Sequence, residues 1–87
     1  MSLNILGDDS ADIIEQMRSA IETAVDCEDL SVECGSPGHY AVRVVSGAFA
    51  ELNRVKQQRL VYDAIAHLMN GDAAPVHAID RLECIVP

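Results

Sequence analysis

From residue 13 the apolar positions recur with the period of a helix: Ile13, Ile14, Met17, Ala20, Ile21, Ala24 and Val25 share one face, and Glu15, Arg18 and Glu22 point away from it. Asp9 or Ser10 can cap such a helix, and Asp12 in its first turn suits the positive end of the helix dipole. This predicts a first helix ending near Cys27. The period then changes to two. Leu30, Val32 and Cys34 alternate with Ser31 and Glu33, which predicts a short strand. Gly35-Ser36-Pro37-Gly38 reads as a turn. His39 to Ser46 is a second strand, with Tyr40, Val42 and Val44 on one face and Ala41, Arg43 and Val45 on the other. So short a loop makes the two strands an antiparallel hairpin. Gly47 to Glu51 breaks the pattern. A second helix follows from Leu52 or Asn53 to Asn70, with Val55, Val61, Tyr62, Ile65, Leu68 and Met69 inward and Gly71 as its stop. After Pro75, residues 76–86 are rich in β-branched and apolar side chains and predict a last strand.

The element order is therefore α-β-β-α-β, with room for a break at the start of the second helix, written α-β-β-α-(α)-β. A three-stranded sheet of this composition cannot leave both faces wet, so both helices are expected on one face: a small α+β two-layer sandwich. No repeat or linker interrupts the chain. The reading is one domain over residues 10–87, after a tail at residues 1–9 expected to be disordered.

Composition narrows the function. A chain of 87 residues buries only about 60–65% of its unfolded surface, which leaves little room for a deep substrate pocket. With Tyr40, Phe49 and Tyr62 as the only aromatics, the core must be aliphatic. The net charge is −8, a poor match to nucleic acid. It is unevenly spread: residues 1–34 carry nine acids against Arg18, a balance of −8, and residues 35–87 balance at zero. Arg54, Lys56 and Arg59 lie in an acid-free stretch from Leu52 to Tyr62, the one place that would draw a phosphate or an acidic partner.

Three cysteines without C-x-x-C spacing exclude a self-contained zinc ribbon or thioredoxin-type site. No G-x-S-x-G, phosphate loop or H-E-x-x-H signature is present, and no nucleophile–base constellation points to an enzyme. No apolar run reaches membrane-spanning length and no secretory signal opens the chain, so reduced thiols and a cytoplasmic location are expected.

Two blocks go beyond pattern. Arg54-Val-Lys-Gln-Gln-Arg-Leu-Val-Tyr62 opens the second helix, and Pro75-Val-His-Ala-Ile79 opens the last strand. Together with Gly38-His39-Tyr40-Ala-Val-Arg-Val44 after a Gly-rich turn, they resemble the BolA family, nearest its IbaG-type branch. The resemblance spans roughly residues 12–85. It implies a class II KH-like fold, α-β-β-α-α-β, with a mixed three-stranded sheet. It also implies a non-enzymatic partner of monothiol glutaredoxins, sharing a [2Fe–2S] cluster with the glutaredoxin and its glutathione in cluster trafficking. Apo iron–sulfur proteins would be recipients, and a homodimer is a further assembly to consider.

By that resemblance the strongest metal ligand is His77, and the second comes from the loop between the first two strands, where Cys34 and His39 are the candidates. A neutral imidazole ligates iron, and protonation releases it. Arg54, Lys56, Arg59 and Tyr62 would face the partner. Cys34 also reads as a core residue with Leu30 and Val32, and Cys84 and Cys27 read as packing residues. His67 is expected on the surface without a role. Two departures from the family stand out: Phe49-Ala50-Glu51 lacks the glycine of Phe-x-Gly, for which Gly47 could substitute, and no Trp-containing stretch follows the last strand. The competing function is nucleic-acid binding and transcriptional regulation, which KH-like folds host. Gly35-Ser36-Pro37-Gly38 spells the G-x-x-G of KH domains, but there the loop joins two helices and here it would join two strands.

Overall fold

The computed structural model describes residues 9–87. The expected tail at residues 1–9 lies outside them except for Asp9, which already begins helix α1 (Asp9–Ala24). Asp9 and Ser10 are thus within the helix rather than ahead of it, so neither is the residue that precedes its first turn. The hairpin strands are β1 (Asp29–Ser36) and β2 (His39–Val45). A 3-10 turn (Gly47–Phe49), helix α2 (Arg54–Ile65), a second 3-10 turn (Ala66–Leu68) and strand β3 (Ala78–Ile85) complete the chain.

The sheet order is β1-β2-β3, with β1 antiparallel and β3 parallel to the central β2. Both helices cover one face, as an α+β sandwich with a mixed sheet requires. The core is aliphatic apart from Tyr40 and Phe49: Met17, Ile21, Val25, Leu30, Val32, Val42, Val44, Val61, Ile65, Leu68 and Val76 are buried with them. The alternation of β2 holds, with Tyr40, Val42 and Val44 buried against the helices. The opposite face stays in water under a cross-strand ion ladder. Arg43 bridges Asp29 at 3.1 Å and Glu83 at 3.8 Å, and Arg81 reaches Glu83 at 3.5 Å. Such exposed pairs contribute little stability, but they keep the uncovered face polar.

Helical periodicity misplaces some side chains. Ala24 lies in the last turn of α1 and is exposed. Arg18, expected to point away, turns back to donate to the Leu30 carbonyl at 2.8 Å. The larger correction concerns α2, where Val55 is 61% and Tyr62 38% exposed rather than inward. The helix is only 12 residues long and contacts the core through Val61 and Ile65. Its first turn is tied down by Gln57, whose amide donates to the Phe49 and Leu52 carbonyls, both at 3.0 Å, while Val55 faces solvent. Asn53, not Leu52, caps it, accepting from the Lys56 backbone N–H at 2.9 Å.

The helix also stops short of Asn70. It tightens into the 3-10 turn at Ala66–Leu68, which buries Leu68 and lets its carbonyl accept from Val76 N–H at 3.1 Å. Gly71, with φ +89°, belongs to the turn that follows.

The glycine missing from Phe-x-Gly is not replaced by Gly47. Gly47 adopts no left-handed conformation; the corner is made by Ser46, fully buried. Its hydroxyl donates to the Asp26 carbonyl at 2.7 Å and accepts from Ala48 N–H at 3.0 Å. Glu51 stands at the glycine's place, and the residue before it, Ala50, has φ −58° and ψ −33°, ordinary right-handed backbone.

Candidate functional site

The β1–β2 turn and the start of β3 meet at one end of the sheet. Ser36 pairs with His39, leaving Pro37 and Gly38 as a two-residue loop, and Gly38 has φ +80°. Proline followed by a residue at positive φ is the geometry of a type II turn, which glycine adopts without steric cost. Gly35 is the extra residue of a bulge just before it. The Gly38 carbonyl then accepts from both His77 N–H at 2.8 Å and Ala78 N–H at 3.1 Å, tying the turn to the start of β3.

His77 does not lie within the strand, as the apolar run over residues 76–86 predicts, but is the residue just before it. Val76, fully buried, anchors it from one side and the Gly38 carbonyl from the other. Its imidazole is exposed and lies over Gly38. Among the described residues its ring nitrogens enter no hydrogen bond or ion pair. An exposed imidazole on a fixed backbone, its nitrogens free of hydrogen bonds among the described residues, is suited to ligating a metal from outside the protein.

The two loop candidates are separated by the pleat. Cys34 and Tyr40 are direct cross-strand partners and share the helix-covered face. His39, next to Tyr40, points to the open face. Cys34 is half-buried and its thiol donates to the Ser36 carbonyl at 3.1 Å. It borders an open cleft of about 710 Å³ with Gly38, Tyr40 and Pro75. Burial pushes the Tyr40 phenol up, and the adjacent Cys34 adds to the rise. His39 is half-buried and its Nδ1 lies 3.0 Å from Asp80 Oδ1. Its backbone pairs with Ala78, the neighbour of His77. A metal approaching from one side therefore meets Cys34 or His39, not both.

No three His, Cys, Asp or Glu side chains gather as a metal site among the described residues. An imidazole with a thiol or a second imidazole fits two positions of an iron–sulfur cluster. The other cysteines are packing groups, as expected. Cys27 donates to the Val25 carbonyl at 3.3 Å, and burial pushes both the Cys27 and Cys84 thiols up. His67 is exposed.

Arg54, Lys56, Arg59 and Tyr62 are all on the surface of α2. Val55, Arg59 and Tyr62, spaced four and three residues apart, form one exposed stripe, so the expected basic face carries an apolar component that periodicity assigned to the core. Sequence reading also missed Asp80, hidden by a β3 bulge that breaks alternation. No helix among the described residues is long and apolar enough to cross a membrane.

A family model described as BolA-like protein matches residues 17–84. No curated protein matches the chain in sequence. Several solved structures do match in fold. The BolA domain of SufE1 from Arabidopsis thaliana is 25% identical with a TM-score of 0.75, over 95% of this chain and 96% of that one. BolA1 from Mus musculus is 26% identical with a TM-score of 0.74, over 100% of this chain and 76% of that one. A Bol-like protein from Babesia bovis is 25% identical with a TM-score of 0.73, over 85% and 84% of the two chains.

Proposed function

Since the chain belongs to the BolA-like protein family, we propose that it is a non-enzymatic partner of a monothiol glutaredoxin and that the two proteins together hold or hand over a [2Fe–2S] cluster for iron–sulfur protein maturation. The observation that carries this reading is the exposed His77 ring, held on Gly38 by a backbone clamp and left without a partner of its own among the described residues. In the shared arrangement that the family resemblance implies, the glutaredoxin and glutathione each supply a thiolate. His77 and one loop residue, Cys34 or His39, supply the rest. The cluster would bring its own electron-transfer chemistry; this chain contributes donors and a fixed approach.

The exposed α2 face supports a protein partner. Arg54, Lys56 and Arg59 offer charge to an acidic surface or to the carboxylates of glutathione, and Val55 and Tyr62 offer apolar area. The same three cations are the only support for the nucleic-acid reading. With a net charge of −8, they would give weak, salt-sensitive binding. The G-x-x-G stretch is the turn between two strands and not a KH clamp between helices.

The deciding experiment is cluster reconstitution with a monothiol glutaredoxin and glutathione, read by visible circular dichroism, comparing wild type with His77→Ala. The expected result is a heterodimer spectrum distinct from that of the glutaredoxin homodimer and altered or lost in the variant. Identical spectra for wild type, variant and glutaredoxin alone would overturn the reading, and retention of duplex DNA at about 150 mM salt would then favour the alternative.

A further inference from the structure

The parallel pairing of β2 with β3 slips by one residue. Tyr40 pairs with Ile79 and Ala41 with Arg81, so Asp80 is an extra residue without a partner on β2. Bulges of this kind redirect a side chain. Here the redirected carboxylate meets His39, with Oδ1 3.0 Å from Nδ1. Both side chains are about half exposed, 43% for His39 and 58% for Asp80, so the contact adds little to stability. What it fixes is the ring.

We propose that Asp80 is a positioning residue for His39: it holds the imidazole by Nδ1 and leaves Nε2 as the nitrogen that ligates a metal on the open face of the sheet. A carboxylate only accepts, so the proton of the neutral ring resides on Nδ1 and the free lone pair on Nε2. Ligating histidines are commonly oriented in this way by a carboxylate on the other nitrogen. His39 also lies beside Ala78, the residue after His77, which puts two imidazole-bearing positions at the same end of the sheet. Cys34, across the pleat, has no such support; its thiol hydrogen bonds to the Ser36 carbonyl, an acceptor that would repel a thiolate. The ligation part rests on the proposed cluster role, whereas the tautomer and its cause do not.

The test begins with the full-length protein labelled with nitrogen-15, and long-range proton–nitrogen correlation spectra recorded above the pH where imidazole titrates. The wild type is expected to carry the His39 proton on Nδ1. Asp80→Ala should lose that preference, and Asp80→Asn should keep it, because the amide oxygen still accepts. A wild-type proton on Nε2, or an Asp80→Ala spectrum identical to wild type, overturns the positioning role.

The second arm is cluster retention with a monothiol glutaredoxin and glutathione. Asp80→Ala should weaken it by about 10–100-fold, with recovery in Asp80→Asn. His39→Ala should do at least as much. Unchanged retention in both alanine variants overturns ligation by His39 while the tautomer result stands. A wild type that holds no cluster at all removes ligation together with the parent reading, and the spectra still decide what Asp80 does.

Discussion

The imidazole of His77 occupies the space where Gly38 would carry a side chain: a Cβ on Gly38 would lie 2.7 Å from His77 Nδ1 and 2.8 Å from its Cγ. The same glycine holds φ +80° and supplies the carbonyl that clamps His77 and Ala78. Two demands, a left-handed backbone and the absence of Cβ, thus converge on one residue. The glycine sets both where the turn reverses and where the exposed ring stands.

Gly38→Ala should therefore act twice. The left-handed backbone costs an alanine about 1–2 kcal/mol, readable by chemical denaturation. The ring, free to swing because it is exposed, should move off the turn, readable as a changed His77 side-chain resonance. Gly35→Ala is the control, since a Cβ there meets nothing within 4 Å and its φ is not positive. Equal effects of the two substitutions would contradict the assigned role of Gly38.

On α2, Val55→Asp should change stability by less than about 0.5 kcal/mol, because the side chain it replaces is 61% exposed. If this face docks a partner, the substitution should weaken the complex, and Arg59→Glu should slow association and flatten its salt dependence. Titration calorimetry and stopped-flow mixing with a monothiol glutaredoxin measure both. A Val55→Asp protein that unfolds would place Val55 back in the core.

Ser46→Ala tests the corner before α2. Its hydroxyl is fully buried and satisfies the Asp26 carbonyl and the Ala48 N–H. Removing it strands both groups, at a cost of about 1–3 kcal/mol. A shift of the denaturation midpoint at unchanged slope is the expected signature.

Stability should also fall in alkali. Burial raises the Cys27 and Cys84 thiols and the Tyr40 phenol, so the folded chain holds these protons more tightly than the unfolded chain does. The contribution is fully present below the ordinary values, about 8.5 for a thiol and 10 for a phenol, and is lost as pH rises through the raised folded values. Urea denaturation from pH 7 to 10.5 should show the decline. Tyr40→Phe should lessen it at the upper end.

Hydrophobic periodicity is a local property, and it carried most of the architecture: two helices, a hairpin and a last strand, with Met17, Ile21, Val42, Val44, Val61 and Ile65 inward. It also separates Cys34 from His39, because alternate strand residues face opposite ways. It could not tell that Val55 faces solvent, since exposure depends on what lies opposite rather than on spacing. Nor could it find the bulge at Asp80, because an extra residue erases the period of two that would reveal it. The two pairings that shape the candidate site, His39 with Asp80 and Gly38 with His77, join residues about forty positions apart. Only the parallel docking of β3 on β2 brings them together, and that register is set by the packed core as a whole, not by any segment of the chain.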